Sequence, residues 1–416
     1  MNKMKCSSLL IGIILSLTSV LAQVTPLLFR GATLHLGDGT RIESGDILIQ
    51  NGKIVEVGKQ IEANSAQVID VAGKHIYPGI ICLNSFIGLN EIDAVRATRD
   101  YIETGMLNPN ARSLVAFNTD SKQLPTALFN GITYVQSVPQ GGFVSGSSSL
   151  MRTSAWNWED AVIKQDDGIH VFWPEANPWE EMAKQDERMA NATRMIADLF
   201  LQAEKYNKLP SPEQINLRYA SLKGLFDGTK RLYVHAVSAT AILQSLNYFK
   251  QFEELKVVLV GADEAYLLID FLKERKVSVI LNHLHRLPRY NHEDIDMPYR
   301  LPALLMKAGI PVAIGHTGSW ESRNLMFNAG TAAAYGLTKE EALMCITGNA
   351  AKICGVDHLT GILSRGMAAT MLISEGDILD MGGNRLRAVY LDGIEVPLTA
   401  QQQELYERYK RKYGLN

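Results

Sequence analysis

The middle of the chain alternates short apolar runs with amphipathic stretches, and this alternation restricts the possible folds more than any other feature. The apolar runs that we expect to form strands are 132–135, 232–234, 257–260, 277–281 and 312–314. Strands separated by helices pair in parallel, and a (β/α)8 barrel is the commonest closed arrangement of such units. The sequence therefore predicts an α/β protein with a TIM-like barrel.

Two strand-rich segments flank this region. In the first, Asn51-Gly52 lies between two apolar runs and predicts a hairpin, because both residues tolerate the positive φ angles of a tight turn. The second covers the apolar stretches 370–374, 386–391 and 394–396. We expect residues 23–80 and 360–400 to form a composite β-sandwich domain around a barrel of residues 81–359. Residues 401–416 are expected to form a C-terminal helix.

The first 22 residues have the features of a secretory signal peptide. Lys3 and Lys5 precede an apolar run over 9–21, and small or modest side chains end at Ala22. The run is shorter than the roughly 20 residues that a spanning helix needs. We expect export to the periplasm or beyond the cell, with no integral membrane segment after cleavage. An uncleaved N-terminal anchor is the alternative.

Composition argues against nucleic acid as a partner and against disulfide bonds. Lys and Arg number 41 against 44 Asp and Glu, so the chain has no basic surplus with which to hold nucleic acid. After signal cleavage, Cys82, Cys345 and Cys354 remain, an odd number without paired metal-type spacing. We expect buried free thiols.

Thr338 with Glu341 predicts a capping box before a helix over 342–354.

Three stretches carry a family resemblance: 68–81, which ends in Pro78-Gly79-Ile80-Ile81, 323–337 and 346–366. They resemble the amidohydrolase superfamily, close to its imidazolonepropionase-like branch. The resemblance implies a barrel whose C-terminal mouth binds one or two divalent metals, such as zinc. In the family, a metal-bound hydroxide attacks an amide or amidine carbon, since the ion lowers the pKa of water toward roughly 7.

The positions that the family uses for metal binding are largely changed. Its first-strand His-x-His pair is replaced by Asn84 and Phe86, and Gly261 stands at the customary sixth-strand His. His235 matches the fifth-strand ligand, whereas the eighth strand offers His316 in place of an Asp. The substrate-contacting residues that we predict at the mouth are Asn84, Phe86, His235 and His316.

His283 and His285 end the seventh predicted strand, where both rings could face one side. One interpretation is an unusual metal site formed by His235, His283 and His285, with His316 nearby. The other is a polar loop that contacts solvent or an anionic ligand. His170, at the end of a further strand candidate, stays open as a site residue.

The segment 140–149 is rich in Gly and Ser, and we expect it to be a loop. It either cradles an anionic group with its backbone donors or forms a packing turn.

Two functions are open. The first is a metal-dependent hydrolase that acts on a C–N bond of a cyclic amide or peptide-like compound. The second is a catalytically inactive protein that binds a small molecule on the same scaffold. Fold alone does not decide between them. A homo-oligomer and a pairing with an active relative are both open as assemblies.

Overall fold

The computed structural model describes residues 25–176, 180–210, 212, 214–289 and 293–415. The predicted signal peptide, residues 1–22, lies outside the described residues. Within the described ranges, none of the helices combines the length and the apolar character needed to cross a bilayer.

The described residues form sixteen strands, thirteen α-helices and three short 3-10 helices. The strands are β1 (Leu27–His35), β2 (Arg41–Gln50), β3 (Lys53–Gly58), β4 (Gln67–Asp70), β5 (His75–Pro78), β6 (Ile80–Ser85), β7 (Ile132–Ser137), β8 (Val144–Arg152), β9 (Val162–Phe172), β10 (Arg231–Ala236), β11 (Lys256–Gly261), β12 (Ser278–Leu281), β13 (Val312–Ile314), β14 (Met371–Ser374), β15 (Leu386–Leu391) and β16 (Ile394–Val396). The helices are α1 (Ser113–Ala116), α2 (Gln123–Phe129), α3 (Trp158–Ala161), α4 (Met182–Asn207), α5 (Leu217–Ser221), α6 (Lys223–Phe226), α7 (Ala239–Phe249), α8 (Ile269–Arg275), α9 (Met297–Lys307), α10 (Leu325–Ala334), α11 (Lys339–Met344), α12 (Gly348–Cys354) and α13 (Gln401–Lys412).

Strands β6 to β13 form one sheet in chain order, and this sheet curls into a nearly closed barrel. The two edges meet where His316 N donates a hydrogen bond to Leu83 O at 3.1 Å. The predicted TIM-like barrel is thus confirmed, and all five predicted strands lie in β7 and β10 to β13. One strand departs from the pattern, because β8 runs antiparallel to both β7 and β9.

Strand β8 also corrects the prediction for 140–149, which was wrong from Val144 onward. Backbone partners on β7 and β9 stabilise the strand although Gly and Ser are weak strand formers. The small side chains are needed here, since a Cβ on Gly146 would lie 2.5 Å from Ala111 O. Tertiary context therefore overrides the local loop signal.

Apolar side chains line much of the lower part of the barrel interior. The cluster includes Leu83, Tyr134, Tyr233 and Ile280 from the strands, and α12 closes the floor beneath them. A separate and larger cluster lies between the outside of the strands and the helices. In barrels of this kind the C-terminal ends of the parallel strands form the open mouth. The floor thus stabilises the fold and leaves the opposite end free for a site.

The flanking segments form a second sheet of eight strands, ordered β16-β15-β14-β5-β1-β2-β3, with β4 paired to β1. Strand β5 joins the two halves, because it pairs with β1 on one side and β14 on the other. The Asn51-Gly52 hairpin is confirmed, with φ angles of 50° and 76°.

Further local predictions have mixed outcomes. The capping box of Thr338 and Glu341 is confirmed. So are the three buried free cysteines. The helix predicted over 342–354 is divided into α11 and α12, which was not expected. The division lies where the chain approaches the β domain, since a Cβ on Gly348 would lie 2.3 Å from Gly37 O.

Candidate ligand site at the barrel mouth

The four residues predicted to contact substrate all lie at the mouth end of barrel strands. Asn84 is near the end of β6 and Phe86 follows it, His235 is near the end of β10, and His316 follows β13. These strands run parallel, so their C-terminal ends meet at one edge of the barrel. Their role in ligand binding stays a prediction.

Asn84 is buried at the position of the family's first-strand pair. Its Nδ2 donates a hydrogen bond to Asn282 Oδ1 at 2.7 Å, and its backbone N–H donates to Gln136 Oε1 at 3.1 Å. Its Oδ1 is buried and has no hydrogen-bond partner among the described residues. The ring of Phe86 stacks on Tyr101 with centroids 4.7 Å apart, so this position presents an apolar wall.

His235 is hydrogen-bonded to a residue inside the barrel. Its Nε2 lies 2.8 Å from Nδ1 of His170, and the two nitrogens share a hydrogen bond. Phe172 stacks on the His235 ring at 3.9 Å. Burial lowers the pKa of His235 to about 3 and holds the pKa of the fully buried His170 well below its usual value. Both rings are therefore neutral near pH 7.

Below His170, polar side chains continue to the barrel floor. His170 Nε2 lies 2.8 Å from Ser148 Oγ, which donates to Asp167 Oδ1 at 2.6 Å. Tyr233 OH and Gln136 Nε2 donate to Asp167 Oδ2 at 2.6 and 2.8 Å. We call His235, His170, Ser148 and Asp167 the polar column. Three of its members have no solvent exposure: Ser148, Asp167 and His170.

His316 and His283 form a second pair at the mouth, with ring centroids 5.2 Å apart. The Nδ1 of His316 accepts a hydrogen bond from Gly318 N at 3.2 Å, so its neutral ring carries the proton on Nε2. Burial lowers the pKa of His316 to about 4, and His283 contributes to the shift.

His285 is directed toward a different neighbour. Its Nε2 lies 2.7 Å from Thr331 Oγ1 on α10, and its backbone N–H donates to Asn328 Oδ1 at 3.3 Å. His285 therefore contacts α10, whereas His283 packs against His316, although the two residues are only two apart in the chain.

Two arginines on the same loop pair with carboxylates of this loop and of the loop after β11. Arg286 contacts Glu293 at 2.5 Å and Asp263 at 3.4 Å, and Arg289 contacts Asp263 at 3.3 Å. Burial raises the pKa of Asp263 despite these two guanidinium groups. Glu175 accepts hydrogen bonds from the backbone N–H groups that precede α7, and burial raises its pKa. These charges largely compensate each other.

The donors at the mouth do not fit the divalent centre that the resemblance implies. Over the described ranges, no three His, Cys, Asp or Glu side chains are grouped so that they could hold a metal ion. The predicted set is not assembled, because His235 Nε2 faces His170 and His285 Nε2 faces Thr331. Asn84 and Phe86 supply at most a weak amide ligand where the family has two imidazoles.

Sequence reasoning missed most of the polar column. His170 was left open, but Ser148 and Asp167 were not identified as site residues. Asp167 lies in Asp166-Asp167-Gly168, which reads as a turn, although it falls inside the eleven-residue strand β9. The useful signal was the position of His170, which lies near the C-terminal end of β9 as His235 lies near that of β10.

Comparisons with known proteins agree with the fold. No family model matches the chain. An amidohydrolase named tasK from Hapsidospora irregularis is 24% identical over 403 residues, which cover 81% of this chain. A dihydroorotase from Bacillus cytotoxicus is 39% identical over 80 residues, or 19% of this chain. The chain spans 40% of the length of the first protein and 18% of the second.

Solved structures extend the likeness to nearly the whole chain. An amidohydrolase from Thermotoga maritima superposes with a TM-score of 0.79 at 26% identity, covering 89% of this chain and 99% of that one. Molinate hydrolase superposes with a TM-score of 0.54 at 15% identity, covering 90% and 95%, and this likeness concerns the fold alone. The barrel, the second sheet and these relatives together support a place for the chain in the amidohydrolase superfamily.

Proposed function

We propose that this protein binds a small polar molecule at the barrel mouth and does not carry out metal-activated hydrolysis. The observation that carries the proposal is the engagement of His235. This residue is the one clear match to the family's ligand set, and its Nε2 is hydrogen-bonded to His170 at 2.8 Å.

The chemistry of metal-activated hydrolysis explains why this matters. A catalytic divalent site needs about three protein ligands and an open position for water. Here the first strand offers an amide and a phenyl ring, from Asn84 and Phe86, and the sixth ends at Gly261. No step through a bound ion can be derived from these residues.

The mouth nevertheless retains polar groups suited to a ligand. Asn84 Oδ1 lacks a partner among the described residues, and His235 is only partly buried. Phe86 and Phe172 supply apolar surface beside them. Ligand sites combine apolar walls with a few placed polar groups, which is the arrangement at this mouth.

The second candidate is a hydrolase that acts on a C–N bond. Two observations favour it: the relatives include proteins named amidohydrolase, dihydroorotase and allantoinase, and His283 and His316 form a close pair at the mouth. A metal-dependent hydrolase at this site requires a third metal-binding side chain to move toward His283 and His316.

Metal analysis separates the two candidates. We expect protein purified without chelators to hold less than about a tenth of an ion per chain, because no complete ligand set is present. We also expect no rise in the unfolding temperature with Zn²⁺ or Mn²⁺. A specific site at 100-fold saturation would add about 2.7 kcal/mol.

The double variant Asn84→His with Phe86→His is the matched comparison, since it restores His-x-His at the C-terminal end of β6. One ion per wild-type chain, together with metal-dependent cleavage of a C–N substrate, would overturn the proposal and support the hydrolase.

A further inference from the structure

Asp167 is the fixed end of the polar column. It accepts hydrogen bonds from Ser148 Oγ, Tyr233 OH and Gln136 Nε2, and a long one of 4.0 Å from Cys354 Sγ. The Gln136 amide cannot be turned around, because its Oε1 accepts from the backbone N–H of Asn84 at 3.1 Å. The Asp167 carboxyl oxygens accept all three short bonds.

The donor directions then follow along the column. Ser148 has one hydroxyl proton, and the 2.6 Å contact with Asp167 requires it. Ser148 Oγ must therefore accept from His170, so the His170 proton is on Nε2. A neutral imidazole carries one proton, which leaves His170 Nδ1 as an acceptor.

The same argument reaches the mouth. Since His170 Nδ1 accepts, His235 Nε2 must be the donor across their 2.8 Å contact. His235 Nδ1 is then left with a lone pair. The buried Asn84 Oδ1, which has no partner in the described ranges, is a second acceptor at the same end of the barrel.

We propose that the mouth recognises a ligand through N–H donors, and that Asp167 sets this preference from the barrel floor by way of Ser148 and His170. His235 Nδ1 is the accepting atom, and the other three members of the column are positioning residues. This inference rests on the proposed ligand site but concerns its hydrogen-bond direction, which is measurable without any ligand.

The test is the ¹⁵N NMR spectrum of the histidine rings in the full-length protein, assigned by single substitutions. Wild-type His170 and His235 are expected to be protonated on Nε2 and unprotonated on Nδ1. The neutral isostere Asp167→Asn can donate an N–H to Ser148 and still accept from Tyr233 and Gln136. It is therefore expected to reverse the column and move the His235 proton to Nδ1.

Asp166→Asn is the matched control. It removes the neighbouring charge, which pairs with Arg112 at 2.8 Å outside the column, and Asn tolerates the φ of 45° at this position. Its His235 spectrum is expected to equal that of the wild type. Ser148→Thr keeps the hydroxyl and should retain the wild-type tautomers. It tests the same bond if Ser148→Ala, which removes the hydroxyl, fails to fold.

Two small probes test the recognition step. 2-Imidazolidinone has two N–H donors, whereas 1,3-dimethyl-2-imidazolidinone has the same ring and none. We expect only the first to shift the His235 Nδ1 signal in wild-type protein, with the shift lost in Asp167→Asn. A wild-type His235 protonated on Nδ1 would overturn the inferred direction. Equal responses to both probes, or none to either, would overturn the proposal that His235 Nδ1 accepts from a ligand. The absence of metal-activated hydrolysis would still be tested separately by the metal analysis.

Discussion

Replacing Asp167 with Ala should destabilise the protein strongly, because the side chain is the common acceptor for three buried donors. The change leaves Ser148 Oγ, Tyr233 OH and Gln136 Nε2 without their partner in a region with no solvent exposure. Each unsatisfied buried donor costs about 1–3 kcal/mol. Because the groups share one cavity and can partly rearrange, we expect a loss of about 3–5 kcal/mol in the free energy of unfolding.

Urea denaturation followed by circular dichroism measures this loss. For a chain of this size the slope is at the upper end of about 1–3 kcal/mol per molar urea, so the midpoint should fall by about 1 M or more. Asp166→Asn, which removes an ion pair with a partly exposed arginine, should cost about 0–1 kcal/mol. If Asp167→Ala unfolds within about 1 kcal/mol of this control, the column is not the buried network described above.

Three further results are expected. The folded-state pKa of His316 is lowered from 6.5 to about 4, so the unfolded chain takes up a proton first as pH falls. The stability contributed by neutral His316 is complete above about pH 6.5 and decreases by up to about 3 kcal/mol toward pH 4. Because the pKa values of His235 and His170 are lowered too, His316→Gln should reduce, and not abolish, the fall in denaturation midpoints across that window. Gly52→Ala should lower the free energy of unfolding by about 1 kcal/mol or more, since Gly52 has φ 76° and a Cβ there would lie 3.1 Å from Asp392 O. Gly58→Ala is the control, because Gly58 has open space around it, and it should change thermal unfolding little. Equal losses in the two variants would contradict the turn geometry. A thiol reagent at pH 8 should not modify Cys82, Cys345 or Cys354 until the protein unfolds. All three are buried, and burial raises the pKa of each thiol. Rapid labelling of these cysteines in the native protein would refute this.

The sequence predicted the parts of the fold that depend on local patterns. Short apolar runs separated by amphipathic helices identified β7 and β10 to β13, because strands buried on both faces need continuous apolar side chains. The Asn51-Gly52 turn and the Thr338 capping box were found for the same reason, since each has a compact sequence signature.

Strand β8 and the polar column could not be found in this way. The Gly- and Ser-rich segment has the composition of a loop, and only pairing with two neighbouring strands makes it a strand. The column brings together residues from three strands, such as Ser148, Asp167 and His235, which are far apart along the chain. Their relation depends on barrel register, and no spacing rule in one sequence encodes that register.

The absent family ligands at Asn84, Phe86 and Gly261 were visible in the sequence. The sequence did not reveal the hydrogen-bond partners of His235 inside the barrel. The structure shows buried histidines whose inner nitrogens are already hydrogen-bonded.

Anomalous diffraction at the zinc edge, from crystals of wild-type protein soaked in Zn²⁺, tests the central claim most directly. We expect no anomalous peak at the barrel mouth and an unchanged contact between His235 Nε2 and His170 Nδ1 near 2.8 Å. A peak about 2 Å from a ring nitrogen of His235, His283 or His316 would contradict the account, because that distance is a zinc coordination bond.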